Sequence, residues 1–204
     1  DEELALVVNG STPARLAQAA AKRALPFVQV STDYVFDGSG QHPFKPEDPT
    51  GPLGAYGRTK LVGEDGVRAA GGAHVILRTS WVFSAHGNNF LRTMLRLGVD
   101  REALSIVSDQ IGGPTPARDI ADACIKIAQQ LKAEPDKSGT YHFSGAPEAS
   151  WAEAQRGGGV GGEDAKAAGV DVEQGGAGLV APLGPVDVEA TVGVVLAWYF
   201  MATS

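Results

Sequence analysis

Short apolar runs alternate with amphipathic stretches through the first part of this chain, and this alternation most strongly limits its possible folds. His74 to Thr79 contains three successive large aliphatic residues, a pattern typical of a strand buried on both faces of a parallel sheet. Phe27 to Val30 and Thr140 to Phe143 are further short runs of this kind. Strands that alternate with helices predict an α/β fold with a mostly parallel sheet.

The stretches between these runs have helical spacing. Glu2 to Ala24 is predicted to be helical, with an interruption marked by Asn9, Gly10 and Pro13. Asn89 to Leu97 also has helical spacing, and Leu104 to Val107 is predicted to be a strand. Thr115 is expected to cap a later helix that has Pro116 in its first turn. The apolar face of that helix consists of Ile120, Cys124, Ile127 and Leu131.

A tyrosine and a lysine lie four residues apart after a Gly- and Pro-rich loop. Tyr56 and Lys60 would share one face of a helix, and Thr32 closes the apolar run upstream. A nearby ammonium favours the phenolate, so Lys60 is expected to lower the pKa of Tyr56 towards neutrality. Tyr-x-x-x-Lys alone is weak evidence, because it occurs by chance in roughly one chain in three. With a strand-end hydroxyl beside it, the pattern indicates reduction of a carbonyl group.

Charge and composition exclude several classes of function. The formal net charge is -7 and the basic residues are scattered, so no nucleic-acid partner is expected. No apolar run is long enough to cross a bilayer, and the acidic start at Asp1 does not resemble a signal peptide. The single cysteine, Cys124, fits a reducing, cytoplasmic location. The four histidines lack metal-ligand spacing, so no catalytic metal is expected.

Five phrases follow one another in a specific order: Val28 to Gly38, Tyr56 to Glu64, Arg78 to Phe83, Gly87 to Phe90 and Asp109 to Thr115. In this order they resemble the dTDP-4-dehydrorhamnose reductase family of the extended short-chain dehydrogenase/reductases. The resemblance covers about residues 1–151 and implies a Rossmann-like, doubly wound, mostly parallel sheet. It also implies reduction of the 4-keto group of dTDP-4-dehydro-L-rhamnose by NADPH or NADH, and a possible homodimer.

The resemblance assigns roles to individual residues. Thr32 matches the hydroxyl that bonds the substrate carbonyl, Tyr56 the proton donor and Lys60 its partner, which also holds the nicotinamide ribose. Ser31 is expected on the cofactor side together with Tyr56 and Lys60. Asp33 and Tyr34 would lie at the substrate side of the same strand end.

Further residues are expected nearer the sugar nucleotide. Trp81 matches an aromatic residue that lines the deoxysugar pocket, although core packing is the alternative. Asn89 is the principal amide expected to bind substrate, and Asn88 and Gln110 are further candidates; each could instead be a satisfied turn residue. Asn9 matches a position near a bend in an active-site helix, with a helix cap as the alternative.

Two departures from the family pattern stand out. The sequence lacks a strand, Gly-rich turn and helix at its start, so we expect an incomplete Rossmann fold that lacks the first βαβ units, on the order of 70 residues. After Trp151 the chain becomes rich in glycine without sustained periodicity. Residues 152–204 are therefore expected to be an atypical, poorly ordered tail, and a shifted reading frame is one hypothesis for it; resequencing the coding DNA would test it.

Two other functions stay open. The chain could be a non-catalytic sugar-nucleotide-binding or regulatory homologue, because the phosphate-binding glycines are missing. It could also be a related nucleotide-sugar epimerase or dehydratase, which would use further acid or base groups such as Asp33 near Thr32. The retained Thr32, Tyr56 and Lys60 favour the reductase.

Overall fold

The computed structural model describes residues 1–87, 89–90, 92–93, 96–97 and 108–151. The predicted strand Leu104 to Val107 and the predicted tail 152–204 lie outside these residues. Two compact units make up the described chain. Unit 1 contains Asp1–Arg78 and Asp122–His142, and unit 2 contains Thr79–Ala121 and the described residues from Phe143 onward.

Unit 1 begins with a helical run that changes its winding once. Helix α1, Glu2–Leu6, is capped by the Asp1 carboxylate, which accepts a hydrogen bond from the Leu4 N–H at 3.1 Å. A π-helical segment, Val7–Ser11, follows and leads into α2, Thr12–Ala21. The predicted interruption is therefore confirmed as one wide turn, which is a common place for functional residues in helices.

The next elements carry the Tyr/Lys pair. Strand β1 covers Phe27–Thr32 and is buried along its whole length. A 3₁₀ turn, Asp33–Val35, follows directly. Helix α3, Ala55–Ala69, begins after the Gly- and Pro-rich loop. The prediction that Tyr56 and Lys60 lie on one helix after the β1 strand is confirmed.

A three-stranded sheet forms the centre of unit 1. Its strand order is β1, β2 and β6, where β2 is His74–Thr79 and β6 is Gly139–His142. β2 and β6 run parallel, with Val75 opposite Gly139 and Arg78 opposite His142. Since these strands are far apart in sequence, a long crossover joins them, as in α/β folds.

One face of this sheet packs against helices. Ala17 of α2 and Val67 of α3 form a buried cluster with Phe27 of β1 and Ile76 of β2. Each of these side chains is at most 3% exposed, so removal of their apolar surface from water holds α2 and α3 on the sheet. α3 is thereby fixed beside the strand that carries Thr32.

Unit 2 contains short strands and the start of a long helix. β3, Val82–Phe83, pairs in parallel with β5, Thr115–Pro116. β4, Ile111–Gly112, pairs antiparallel with β7, Ala149–Ser150.

Helix α4 begins at Ala117 and ends at Ala133, so the prediction that Thr115 caps a helix with Pro116 in its first turn is wrong. The Thr115 hydroxyl instead donates to Gly113 O at 2.9 Å and accepts from the Gly145 N–H at 3.1 Å. Its backbone N–H donates to Trp81 O at 3.1 Å. The bonds with Gly145 and Trp81 join Thr115 to residues distant in the sequence and hold it in a strand. The predicted apolar face of α4 is mostly buried, with Cys124 and Leu131 each 1% exposed.

In the described part of the chain, none of the helices is both long enough and apolar enough to cross a membrane.

Candidate active site

The end of β1 presents a hydroxyl in a fixed position. Thr32 is 4% exposed, and its Oγ1 accepts from the Tyr34 N–H at 3.2 Å and donates to Asp33 Oδ1 at 3.0 Å. These bonds begin the 3₁₀ turn, because a strand-end threonine satisfies an N–H that the turn leaves free. The Thr32 hydroxyl also lies close enough to the phenol of Tyr56 to act on its pKa. Thr32 and Tyr56 are therefore neighbours at the end of β1.

The first turn of α3 approaches the 3₁₀ turn very closely. A Cβ at Gly57 would collide with the Tyr34 carbonyl oxygen and lie 2.9 Å from the Pro52 Cβ. The Tyr34 ring meets the Tyr56 ring edge-on, with centroids 6.0 Å apart. Glycine at position 57 thus lets Tyr56 sit against the end of β1.

The pKa of Tyr56 is raised to about 12 and is not lowered. Burial disfavours the phenolate, the negative charge of Asp33 acts in the same direction, and the nearby Thr32 hydroxyl only partly opposes them. The prediction that Lys60 lowers this pKa is wrong. Tyr56 keeps its proton at neutral pH, which is the state that a proton donor needs.

The reason for this error lies in the surroundings of Lys60. Its side chain is buried, and Nζ donates to Val30 O at 2.6 Å. Burial lowers the pKa of Lys60 to about 8, although the charge of Glu64 raises it. The ammonium is therefore directed at the backbone of β1, while the acid next to Tyr56 is Asp33.

Asp33 and Tyr34 respond to the same local environment. Burial raises the pKa of Asp33, and its hydrogen bonds, first that with Thr32, only partly offset this rise. Burial and the charge of Asp33 raise the pKa of Tyr34. Perturbed titration in a small group of side chains is typical of functional sites.

A buried carboxylate, Glu64, lies one helical turn beyond Lys60 and did not enter the predicted site. It accepts from Ser31 Oγ at 2.6 Å, from Arg78 Nε and Nη2 at 3.0 and 2.7 Å, and from Arg68 Nη2 at 2.6 Å. Burial raises the pKa of Glu64, but the bonds from Arg78 and Ser31, the Arg78 charge and the Arg68 bond outweigh it and lower the pKa. A glutamate four residues after the lysine was the available sequence signal.

This network bears on the predicted role of Ser31. Its hydroxyl donates to Glu64, and the residue is only 3% exposed. The hydrogen bond to the Glu64 carboxylate uses the single donor of Ser31, so Ser31 could bind a cofactor only as an acceptor. Its place at the cofactor remains a prediction.

Asn9 lies in the π-helical segment and does not cap a helix. It is buried, and its Nδ2 donates to Thr59 Oγ1 of α3 at 3.2 Å. A Cβ at Gly63 would collide with the Asn9 carbonyl oxygen. The wide turn therefore brings the Asn9 backbone directly onto α3, between the turns that carry Tyr56 and Glu64.

The remaining predicted substrate residues belong to unit 2. Trp81 has a positive φ of 46° and stacks on Trp151, with ring centroids 3.6 Å apart. Asn89 donates from Nδ2 to Ser84 O at 2.7 Å and accepts from the Arg92 N–H at 3.1 Å. Both are therefore engaged within unit 2, and their roles in substrate binding remain predictions.

Of the weaker candidates, Gln110 accepts from Trp151 Nε1 at 3.2 Å. Asn88 lies outside the described residues. Among the described residues, no group of three or more His, Cys, Asp or Glu side chains could hold a metal ion.

Comparison with known proteins gives consistent results. The family model for the RmlD substrate binding domain matches residues 1–156. A dTDP-4-dehydrorhamnose reductase of Sinorhizobium fredii is 47% identical over 150 residues, which cover 72% of this chain and 51% of that protein. The reductase of Escherichia coli K12 is 39% identical over 151 residues, 74% of this chain and 50% of the relative. The chain spans about half the length of the curated relatives it matches.

Solved structures agree with the fold. A dTDP-4-dehydrorhamnose reductase of Clostridium acetobutylicum matches with a TM-score of 0.68 and 37% identity, over 76% of this chain and 53% of the other. The Bacillus anthracis reductase in complex with NADP matches with a TM-score of 0.69 and 35% identity, over the same shares. The predicted Rossmann-like, doubly wound, mostly parallel fold is confirmed.

Proposed function

This chain belongs to the RmlD substrate binding domain family, and from this premise we propose that it acts in reduction of the 4-keto group of dTDP-4-dehydro-L-rhamnose, yielding dTDP-L-rhamnose. The reductant would be NADPH or NADH. The observation that carries the proposal is the closeness of the Thr32 and Tyr56 side chains at the carboxyl end of β1. Open α/β sheets bind ligands outside this end of their strands.

Tyr56 would be the proton donor. Because its pKa is about 12, the phenol is protonated at neutral pH. An alkoxide that develops at C4 of the sugar is a much stronger base than a phenolate, so the proton moves from the Tyr56 hydroxyl to the sugar oxygen as that charge appears.

Thr32 would orient the reacting carbonyl. Its Oγ1 accepts from the Tyr34 N–H and donates to Asp33 Oδ1, so the position of the oxygen is fixed. Since the hydroxyl has a single proton, it would turn that proton from Asp33 to the substrate carbonyl oxygen, which would also accept from the Tyr56 hydroxyl. A position that is fixed before the reaction lowers the entropic cost of reaching the transition state.

The residues on α3 fit a nicotinamide cofactor. In the described part of the chain, the Lys60 ammonium donates to one acceptor, Val30 O. An ammonium has three N–H donors, so two remain to hold ribose hydroxyls together with Tyr56. When bound, the cofactor supplies the hydride. With a pKa of about 8, Lys60 is mostly charged at pH 7 and favours negative charge that develops nearby.

The substrate side would include Asp33, Tyr34, Trp81 and Asn89, as the family resemblance implies. Tyr34 is 48% exposed and lies against Tyr56, so an aromatic surface is available to a sugar ring. A dTDP-sugar is thus the proposed ligand, and the family leaves a homodimer possible.

A turnover assay with the full chain tests this proposal. The chain is mixed with dTDP-4-dehydro-L-rhamnose and either NADPH or NADH, and nicotinamide oxidation is followed by absorbance. Loss of NADPH or NADH that depends on the sugar nucleotide supports the proposal. If nicotinamide fluorescence shows neither cofactor binding nor turnover, this polypeptide is not a reductase, and sugar-nucleotide binding alone would favour the non-catalytic homologue.

A further inference from the structure

Successive residues of β1 bond to successive turns of α3. Val30 O accepts from Lys60 Nζ, and Ser31 Oγ donates to Glu64 Oε1, each at 2.6 Å. Thr32 comes next in the strand. Because Lys60 and Glu64 are four residues apart, they lie on one face of the helix. The strand end and the helix are therefore linked at two adjacent points directly behind the Thr32 hydroxyl.

Glu64 is the anchor of this link. Its side chain is fully buried, and Arg78 of β2, itself 3% exposed at the side chain, binds both carboxylate oxygens. Arg68 binds Glu64 and also donates to Thr140 Oγ1 of β6 at 3.4 Å. The carboxylate thus joins α3 directly to β1 and β2, and its partner Arg68 contacts β6.

We infer that Glu64 is a positioning residue for the candidate active site: its buried carboxylate fixes the end of β1 against α3 and provides the counter-charge for the Lys60 ammonium. The significance of this role for catalysis rests on the proposed function. The role itself is a property of the chain without ligands and is tested without turnover.

Charge explains why Lys60 depends on this carboxylate. Burial opposes the ammonium, whereas the charge of Glu64 supports it. Without Glu64, the two buried cations Lys60 and Arg78 would lose the carboxylate that neutralises them. Asp33 and Tyr34 are the titratable groups on the 3₁₀ turn packed against α3, and the acid Asp33 lies beside Tyr56.

The other helices packed against α3 add exposed charges only. Glu2 of α1 pairs with Arg58 of α3, and both side chains are about half exposed. Arg15 of α2 carries a further charge. Solvent screens such groups strongly, so Glu64 is the anion that should control the charge state of Lys60.

The test is an NMR titration of the Lys60 side chain in the full chain, with isotope-labelled lysine and Lys60→Met for assignment. In Glu64→Gln, the Lys60 pKa should fall by about one unit, the size expected for loss of a nearby opposite charge. Glu64→Asp restores the charge, so the Lys60 pKa should return towards the wild-type value. Equal Lys60 pKa values in folded Glu64→Gln and wild type overturn the inference.

A matched control removes the same charge one residue further along. Asp65 is 68% exposed at its side chain and pairs with Arg68, so Asp65→Asn should leave the Lys60 pKa unchanged. A fall as large as in Glu64→Gln would show a general charge effect and overturn the specific role of Glu64.

If Glu64→Gln fails to fold, the pair Glu64→Gln with Arg78→Met replaces it, because neither partner is then left buried and unpaired. This pair is compared with Arg78→Met alone, since both lack the Arg78 charge and only the pair lacks that of Glu64. The Lys60 pKa should be lower in the pair, and an equal or higher value overturns the inference. Absence of turnover in the wild-type chain contradicts the proposed function alone, since the lysine titration needs neither cofactor nor substrate.

Discussion

The pKa values of two carboxylates, Asp33 and Glu64, are shifted in opposite directions, although burial raises both. Asp33, beside Tyr56, has a raised pKa, because its hydrogen bonds do not offset burial. Glu64 has a lowered pKa, since two arginines and Ser31 bind it. The comparison teaches that Glu64, whose charge is fully paired, stabilises the packing of α3 on the sheet. Asp33, whose hydrogen bonds do not offset its burial, lies where the reaction is proposed.

The largest effect is expected on kcat, at Tyr56 beside Asp33. Tyr56→Phe removes the proposed proton donor, so kcat should fall by about 10²- to 10⁴-fold, while binding of the sugar nucleotide survives. Steady-state kinetics and ligand titration of the full chain measure both quantities.

Tyr141→Phe is the matched control for that substitution. Tyr141 lies on β6, and its hydroxyl donates to Lys137 O at 2.9 Å. Tyr141→Phe therefore removes the same phenol oxygen at a position away from Thr32. Its kcat should stay near that of wild type. Equal losses in the two variants would contradict the special role of Tyr56.

At Glu64, the expected effect is on the stability of the fold. Glu64→Gln leaves Arg78 buried without a counter-ion and should cost about 3–5 kcal/mol of unfolding free energy. Urea denaturation measures this loss, and Asp65→Asn should stay within about 0.5 kcal/mol of wild type. If Glu64→Gln loses less than about 1 kcal/mol of unfolding free energy, the structural role that separates Glu64 from Asp33 is contradicted.

The pH dependence of this stabilisation follows from the lowered pKa of Glu64. The unfolded chain binds its proton at a higher pH than the folded chain does. The contribution of Glu64 is therefore fully present above its ordinary pKa of 4.5 and is lost as pH falls through the folded value. The difference in stability between wild type and Glu64→Gln should shrink over that window.

A smaller effect is expected where α3 meets the π-helical segment. In Gly63→Ala the new methyl group collides with the Asn9 carbonyl oxygen, which is backbone, and should cost about 1–3 kcal/mol. Gly51→Ala is the control, because its Cβ would make an ordinary 3.5 Å contact with the Asp37 Cβ. Similar thermal stability of the two variants would argue against close packing at Gly63.

Much of this arrangement was predictable from the sequence. The continuous apolar run predicted β2 at its observed bounds, and the Tyr56–Lys60 spacing placed both residues on α3. Asn9 and Gly10 marked the change of winding, because they fall within the observed π-helical segment. These features depend on periodicity over a few residues, which a sequence displays directly.

The electrostatics of the site were not predictable in the same way. The direction of the Tyr56 pKa shift depends on burial and on Asp33, and both depend on tertiary packing. The ion pair of Glu64 with Arg78 joins a helix to a strand, so no local spacing predicts it. Thr115 likewise had the sequence of a helix cap, but hydrogen bonds with the distant Gly145 and Trp81 hold it in a strand.

The most direct test of the central claim, that Tyr56 is a partly buried phenol that stays protonated, is NMR of its ring Cζ between pH 6 and 10.5. Labelled tyrosine provides the signal, and Tyr56→Phe assigns it. The Tyr56 resonance should keep its protonated shift throughout, because its pKa is about 12, above the ordinary value of about 10. A midpoint below 10 would contradict this account and would restore Lys60 as the group that sets the acidity of Tyr56.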